Sequence, residues 1–282
     1  MKTTTKQVLV AAAWLLTLFG VIGGTLLWQR QVRQPKHPVA AITVGSTTRT
    51  PTVILLDAKT TVEQRHQFAA GIQRNNGNQS IISAHISNTG QIKFSGTFKT
   101  YDTRPCLQLQ LPTKTASISQ QATWLKIVLK RAQQQLKFRQ FNLVTYGSGG
   151  LVATTYLQQT SKLPAPTHLI VIATPFNGTS LKQNSNQPTA VNPSNQTTGL
   201  KELIAKQAAI SPKIRVLLIA GKTKGDINGD GVIPVQSALA GQAIYRPIVE
   251  HYEQHIIHSW HASHTSLYSS WKLANYIQEF IN

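Results

Sequence analysis

The residues with the clearest chemical signature surround a glycine-rich turn in the middle of the chain. Residues 141–146 are apolar and β-branched enough to predict a buried strand. Gly147-Ser148-Gly149-Gly150 follows, and residues 151–159 are predicted to continue as a helix. A strand, a tight turn and a helix are the setting of a nucleophile elbow, whose usual motif is Gly-x-Ser-x-Gly. The nucleophile occupies the strained apex, and the next backbone N–H helps to stabilise an oxyanion. This turn therefore indicates acyl-transfer chemistry or a remnant of it.

An acid and a histidine follow the turn in the chain order that this chemistry requires. Asp230 lies in the turn at residues 230–234, after a predicted strand at 215–220, and His264 lies just before the last predicted helix. In a working site Ser148 would attack the substrate, His264 would be the general base, and Asp230 would orient the histidine. Ser148, Asp230 and His264 are therefore the candidate catalytic residues.

Four segments together resemble the cell-surface α/β-hydrolases of unknown function from Gram-positive bacteria. They are residues 142–150, 174–178, 230–234 and 264–267. The resemblance runs from about Thr52 to the C-terminus. It implies an α/β-hydrolase fold, hydrolysis of an ester or similar acyl bond, and a globular part outside the cytoplasm.

The chain departs from this family at two catalytic elements. The family's turn has the sequence Gly-His-Ser-Met-Gly-Gly, and residues 145–150 occupy the same six places. Gly147 then falls at the nucleophile position, with Ser148 one residue later. The family also has a His-Gly pair after its first core strand, which feeds the oxyanion hole, and here that place holds Leu56-Asp57. The resemblance therefore implies a degenerate member that kept the fold and lost the reaction.

The competing hypothesis is that Ser148 is the nucleophile of a shifted elbow. Gly147 and Gly149 would give such a turn the flexibility that it needs. Tyr146 would then stand where a small residue normally lets the turn close, and a serine at a helix start often caps the helix instead. An active serine hydrolase using Ser148, His264 and Asp230 remains the alternative prediction.

Two patterns raise metal binding as an alternative. Residues 226–231 match the start of a calcium loop, but the twelfth position is Ser237 and not the bidentate glutamate that such a loop needs. Histidines three or four residues apart could hold zinc on a helix, although the order differs from His-Glu-x-x-His. These histidines are His251, His255, His258 and His261. The sequence predicts no metal site and no cofactor, with Asp230 and His264 as triad residues.

The N-terminus predicts a membrane anchor over residues 1–28. Lys2 and Lys6 precede an uncharged apolar run of about 21 residues from Val8 to Trp28, which is long enough to span a bilayer core of roughly 30 Å. The run exceeds the ~7–15 residues of a signal-peptide core, so an uncleaved single-pass anchor is expected. Residues 29–50 are polar and contain proline, as in a linker. The family resemblance orients the following domain outward.

From residue 51 onward strand-like and helix-like segments alternate, which predicts a mostly parallel, doubly wound α/β sheet over residues 51–282. Residues 178–198 are rich in Asn, Gln, Ser, Thr and Pro and predict a long loop or lid. Cys106 is the one cysteine, so the fold uses no internal disulfide. It lies in a strand-like run, where a buried structural thiol is expected.

The charge balance indicates the class of partner. The chain has 28 Lys and Arg against 9 Asp and Glu, for a net charge of +19, which attracts polyanions. The basic residues are scattered, with no Arg-rich run and no recognition-helix pattern, and this disfavours nucleic acid. The predicted partners are the membrane, through the N-terminal helix, and an anionic cell-wall polymer or lipid.

Overall fold

The computed structural model describes most of the chain, with gaps at the N-terminus and in several loops. The described residues are Trp14 and residues 16–27, 49–57, 60–74, 76–77, 79–112, 116–159, 164–225 and 229–282. Helix α1 covers residues 16–27, and across these ranges no helix combines the length and apolarity needed to cross a bilayer. Other parts of the predicted anchor, and residues 29–48 of the predicted linker, lie outside the described residues. The anchor is therefore not confirmed.

The chain divides into two compact units, Met1–Pro38 and Val39–Asn282, and the second contains the sheet. Within the described residues its eight strands form one sheet in the order β3-β2-β4-β1-β5-β6-β7-β8. They are β1 (Thr52–Leu55), β2 (Ile81–Ile86), β3 (Ile92–Ser95), β4 (Cys106–Gln110), β5 (Asn142–Tyr146), β6 (His168–Ile172), β7 (Arg215–Thr223) and β8 (His251–Ser259). Only the β2–β3 hairpin is antiparallel. The predicted mostly parallel sheet is confirmed.

Helices cover both faces of the sheet, which is why its central strands are largely apolar and buried on both sides. They are α2 (Val62–Gln73), α3 (Ile118–Leu136), α4 (Ser148–Leu157), α5 (Thr198–Ala205), α6 (Val235–Leu239), α7 (Gln242–Tyr245) and α8 (Trp271–Ile281). Successive residues of β5 belong to different cores, with Leu143 in one and Val144 in the other. All five residues of β5 are buried, so the turn that follows it starts from a fixed position.

The carboxyl ends of four strands in one half of the sheet bring distant residues together. β1, β5, β7 and β8 all run parallel, and the loops after them carry Asp57, Gly147, Asp230 and His264 respectively. Clefts in α/β sheets form at this edge. The topology therefore places the predicted site residues at one end of the sheet.

The predicted loop at residues 178–198 is confirmed, and a buried asparagine holds its two ends together. Asn177 is fully buried. Its amide group donates to Asn184 Oδ1 (3.0 Å) and to the carbonyl of Asn195 (3.1 Å), while its Oδ1 accepts the N–H of Thr197 (2.8 Å). Ser237 adds a further bond, because its hydroxyl donates to the carbonyl of Gly178 at 2.6 Å. The hydrogen bonds of one asparagine side chain thus hold the two ends of this loop in place.

Cys106 is fully buried at the start of β4. Burial raises the pKa of its thiol to about 12, so the reactive thiolate is scarce near neutral pH. The predicted structural thiol is confirmed.

Candidate active site

The turn between β5 and α4 has the backbone of a nucleophile elbow, with a glycine at its apex. Gly147 has φ 57° and ψ −130°, a conformation that side chains disfavour. Its N–H donates to the carbonyl of Ile172 (2.9 Å), and its own carbonyl accepts the hydroxyl of Thr174 (2.8 Å). These bonds fix the turn against β6. The strained apex of the turn therefore lies at Gly147, a residue without a side chain.

The next two glycines allow α4 to approach the sheet. A Cβ atom on Gly149 would lie 2.4 Å from the carbonyl oxygen of Leu55, and one on Gly150 would lie 2.0 Å from Oγ1 of Thr174. Neither separation is physically possible, so both positions require glycine. Their close packing fixes the first turn of α4.

Ser148 is the first residue of α4 and half-buried. The positive φ belongs to Gly147 and not to Ser148, so the serine does not occupy the apex. Its backbone N–H donates to Oδ2 of Asp57 at 3.2 Å. Among the described residues its hydroxyl has no hydrogen-bond partner, and it makes none with His264. The structure therefore brings Ser148 to the candidate site without joining it to the histidine.

Asp57 lies against the apex from the end of β1. Its Oδ2 would be 2.7 Å from a Cβ atom added to Gly147, and its own Cβ would be 3.1 Å away. The same oxygen accepts the N–H of Ser148, which follows the apex. In an elbow that N–H belongs to the oxyanion hole. The N–H that would otherwise face the oxygen of a substrate is therefore already hydrogen-bonded to a carboxylate.

Asp230 and His264 form a hydrogen-bonded pair. Nδ1 of His264 lies 2.7 Å from Oδ2 of Asp230, and the side chains are 15% and 1% exposed. The other carboxylate oxygen accepts the N–H groups of Val232 (2.9 Å) and Ile233 (2.6 Å). The backbone also joins the two, because the N–H of His264 donates to the carbonyl of Asp230 at 2.8 Å. A carboxylate with this many donors is held in one orientation, and it fixes the imidazole in turn.

Tyr146, next to the apex, is hydrogen-bonded to the backbone of His264. Its hydroxyl donates to the carbonyl of His264 at 2.8 Å, and its ring stacks on Tyr268 with centroids 4.2 Å apart. Burial raises the pKa of Tyr146 well above its ordinary value, so the hydroxyl remains a donor. Sequence patterns do not predict this role of Tyr146, since its partner is a backbone carbonyl far along the chain.

A cavity of about 680 Å³ opens one helical turn from Ser148. Leu151 and Thr155 of α4 form one wall, Pro175 and Phe176 form a second, and Leu203 of α5 contributes a third. The volume falls within the ~300–1,000 Å³ of small-molecule pockets. The cavity is therefore large enough for a ligand beside the elbow.

Three of the four histidines that were considered as zinc ligands lie on a strand and not on a helix. His251, His255 and His258 all belong to β8, and the helical hypothesis for them is wrong. His251 and His255 approach Glu253 at 2.7 and 3.6 Å. In the part of the chain that the structure describes, no cluster of three or more His, Cys, Asp or Glu side chains is arranged to hold a metal. Residues 226–228 of the calcium-loop hypothesis lie outside that part.

A family model matches nearly the whole second unit. Residues 41–282 match the family described as alpha/beta hydrolase of unknown function, DUF915. No curated protein sequence matches the chain significantly.

Several solved structures share the fold. The product of the lin2722 gene of Listeria innocua superposes with a TM-score of 0.76 at 23% identity, covering 83% of this chain and 94% of that chain. A candidate cell surface hydrolase from Lactobacillus plantarum WCFS1 gives 0.67 at 20% identity, covering 84% and 92%. Esterase Pf2001 of Pyrococcus furiosus gives 0.50 at 10% identity, covering 83% of each chain. At these identities the likeness establishes the fold.

Proposed function

The chain belongs to the DUF915 family of α/β-hydrolases of unknown function from Gram-positive bacteria, and from that membership we propose that it is a catalytically silent member that binds a ligand. Binding would use the cleft at the carboxyl end of the sheet, where Asp230 and His264 remain paired. Fold alone does not fix an activity. The proposal therefore depends on the residues at the apex of the elbow.

The observation that carries the proposal is the contact between Asp57 and the apex at Gly147. Covalent catalysis needs a nucleophilic side chain at the apex, and glycine supplies none. The adjoining N–H, on Ser148, is hydrogen-bonded to a carboxylate. Loss of one oxyanion-hole donor lowers kcat by about 10²–10³-fold. A fixed carboxylate at that donor also repels a developing oxyanion. The site therefore supports neither the nucleophilic attack nor the stabilisation of the oxyanion.

A fluorophosphonate probe tests the proposal, because it labels activated serines. The full chain is expected to remain unlabelled. The double variant Gly147→Ser with Asp57→Gly restores the family residues at these two positions and is expected to gain labelling and esterase activity. Gly147→Ser alone is expected to be about 100-fold less reactive than the double variant, since the carboxylate still occupies the oxyanion-hole donor. His264→Ala in the double variant is the matched control and removes the gain.

Two results would contradict different parts of the proposal, first that the chain is silent and second that residues 57 and 147 account for its silence. Labelling of the unaltered chain that disappears in Ser148→Ala would mean that the protein is an enzyme. A double variant that is folded by circular dichroism but never labelled would mean that the site lacks more than its nucleophile and oxyanion hole.

The intact Asp230–His264 pair favours a second candidate function, an active ester or acyl hydrolase that uses Ser148. The histidine could serve as a general base if substrate binding brought the Ser148 hydroxyl within hydrogen-bond reach, about 2.6–3.2 Å. This candidate predicts that Ser148→Ala and His264→Ala each abolish turnover in the unaltered background. The silent-member proposal predicts no turnover to abolish.

We further propose that the domain lies outside the cytoplasm, held at the cell membrane by the N-terminal segment, with an anionic wall polymer or lipid as partner. The apolar run from Val8 to Trp28 and the net charge of +19 support this. Protease added to intact cells should remove the domain. Retention of purified protein on isolated walls should fall steeply between low and high salt, because an electrostatic contact is screened. Protection from protease, or salt-independent retention, would contradict these two points respectively.

A further inference from the structure

The two edge strands of the sheet differ in how well they are protected from pairing with another chain. β3 is four residues long, belongs to a hairpin and carries the exposed Lys93, and all of these features discourage such pairing. β8, at the other edge, runs for nine residues and contains no lysine, arginine or proline. Most of its residues are only half-buried, whereas most residues of its neighbour β7 are buried. β8 is therefore a long edge without the usual protection.

The register with β7 identifies the backbone groups of β8 that point away from the sheet. Thr223 pairs with Ser259, and the N–H of Lys224, which follows β7, donates to the carbonyl of Ser259 at 3.3 Å. In a parallel pair alternate residues direct both backbone groups to the same neighbour, so the odd-numbered residues of β8 face β7. The even-numbered residues direct their N–H and C=O groups outward, and among the described residues no further backbone group bonds to them. They are Tyr252, Gln254, Ile256 and His258.

Both faces of β8 are already covered, so the open part of the strand is its edge. The ring of His255 stacks on Tyr276 of α8 with centroids 4.5 Å apart, and Ile257 belongs to the core on that side. Tyr252 and Ile256 pack against the core on the opposite side. An extended strand is the occupant that fits, because it can bond to the outward backbone groups without displacing a helix.

We infer that this occupant is a second copy of the chain, whose β8 pairs antiparallel with the first around a two-fold axis at Gln254. In this register Glu253 lies opposite His255 of the second copy, and symmetry repeats this complementary pair. An axis at Glu253 would oppose two glutamates, and an axis at His255 would oppose two imidazoles. Three hydrogen-bonded pairs exchange about six backbone bonds between the copies. The inference does not depend on whether the elbow is silent.

Cross-linking tests the register, because the one native thiol, Cys106, is fully buried. In Gln254→Cys the two thiols face each other across the axis, with Cα atoms about 5.5 Å apart, which a disulfide can bridge. His258→Cys is the matched control, since residue 258 is the more exposed of the two but its two copies lie about 27 Å apart in this register. Oxidation of the full chain in detergent should cross-link Gln254→Cys at least about tenfold faster. Equal rates overturn the inference.

Gln254→Pro separates pairing at this edge from any other route to a dimer. The N–H of residue 254 faces outward, so proline removes a donor to the second copy and no bond to β7. Sedimentation equilibrium of the full chain in detergent is measured at about 0.15 M salt, where charges more than about 8 Å apart are largely screened. The unaltered chain and Gln254→Ala should dimerise alike, and Gln254→Pro should associate at least about tenfold more weakly.

Three results overturn the inference. The first is an unaltered chain that stays monomeric. The second is a Gln254→Pro variant that keeps its melting temperature and dimerises as well as Gln254→Ala. The third is a monomer whose β8 edge binds an added extended peptide, because the occupant would then be another protein. If proline lowers the melting temperature, the comparison of the two cysteine variants decides.

Discussion

Asp230 holds His264 through Oδ2 and Nδ1 at 2.7 Å, although 34 residues separate them in the chain. The remaining oxygen of Asp230 accepts two backbone N–H groups in its own turn. The pair is therefore organised by the loops after β7 and β8, independently of the residue at the apex. This independence explains how the dyad can persist beside Gly147.

Replacing Asp230 by asparagine should disturb the pair without adding volume. The amide can keep one oxygen for Val232 and Ile233, but its NH₂ then faces Nδ1 of His264, which must give up its proton and become an acceptor. We expect the imidazole proton to move to Nε2, visible in ¹⁵N NMR spectra, and a loss of about 1–3 kcal/mol in the free energy of unfolding. An unchanged tautomer would mean that the carboxylate does not determine the protonation of the imidazole.

Two Gly→Ala substitutions in helices should have opposite effects. At Gly150 the new methyl group would lie 2.0 Å from Oγ1 of Thr174, and overpacking of this kind costs about 1–3 kcal/mol or more. At Gly199 in α5 no atom lies within 4 Å of the new methyl group, and helix propensity favours alanine by up to about 1 kcal/mol. Urea denaturation measures both. A stabilised Gly150→Ala would contradict the packing of α4 described above.

Asn177→Ala should release the loop at residues 178–198. The substitution removes the bonds to Asn184, Asn195 and Thr197, and leaves buried polar groups unsatisfied at about 1–3 kcal/mol. We expect lower stability and faster limited proteolysis within the loop, with the cut sites identified by mass spectrometry. Gln187→Ala, on the exposed surface of the same loop, serves as the control. Equal cleavage of the two variants would show that Asn177 does not hold the loop.

Stability should decrease in mild acid because of His168. Burial, followed by the positive charges of Arg215 and His251, lowers the pKa of His168 from 6.5 to about 4. Between these two values the unfolded chain binds the proton more readily, so stability rises with pH. The contribution is complete above about pH 6.5 and is lost as the pH falls toward 4. Midpoints of urea denaturation measured across this window should vary less in His168→Gln, and an equal slope in both proteins would exclude His168 as the cause.

The hydrophobic pattern was sufficient for the central fold but not for its edge. Buried strands such as β5 and β6 have apolar or β-branched residues at most positions, and the sequence identifies them. Strand β8 carries histidines and glutamine, and most of its residues are only half-buried. Residues of β8 form a strand because they pair with β7 along nine residues. The pattern of a single sequence does not contain that pairing. For this reason the spacing of its histidines suggested a helix.

The candidate site could be predicted in its parts but not in its contacts. The chain order of the elbow, Asp230 and His264 indicated which residues belong together, and the family motif marked Leu56-Asp57 as a departure. The bond from Ser148 to Asp57 joins residues 91 positions apart. The bond from Tyr146 to the carbonyl of His264 spans 118 positions. Both depend on the register of parallel strands, which local sequence does not specify.

The approach of Asp57 to Gly147 couples what selection can do at the two positions. A serine placed at residue 147 would have its Cβ atom 2.7 Å from Oδ2 of Asp57, and a glycine placed at residue 57 would supply no hydroxyl. The effect of a mutation at either position therefore depends on the residue at the other. Epistasis of this kind makes the order in which the two mutations arise matter.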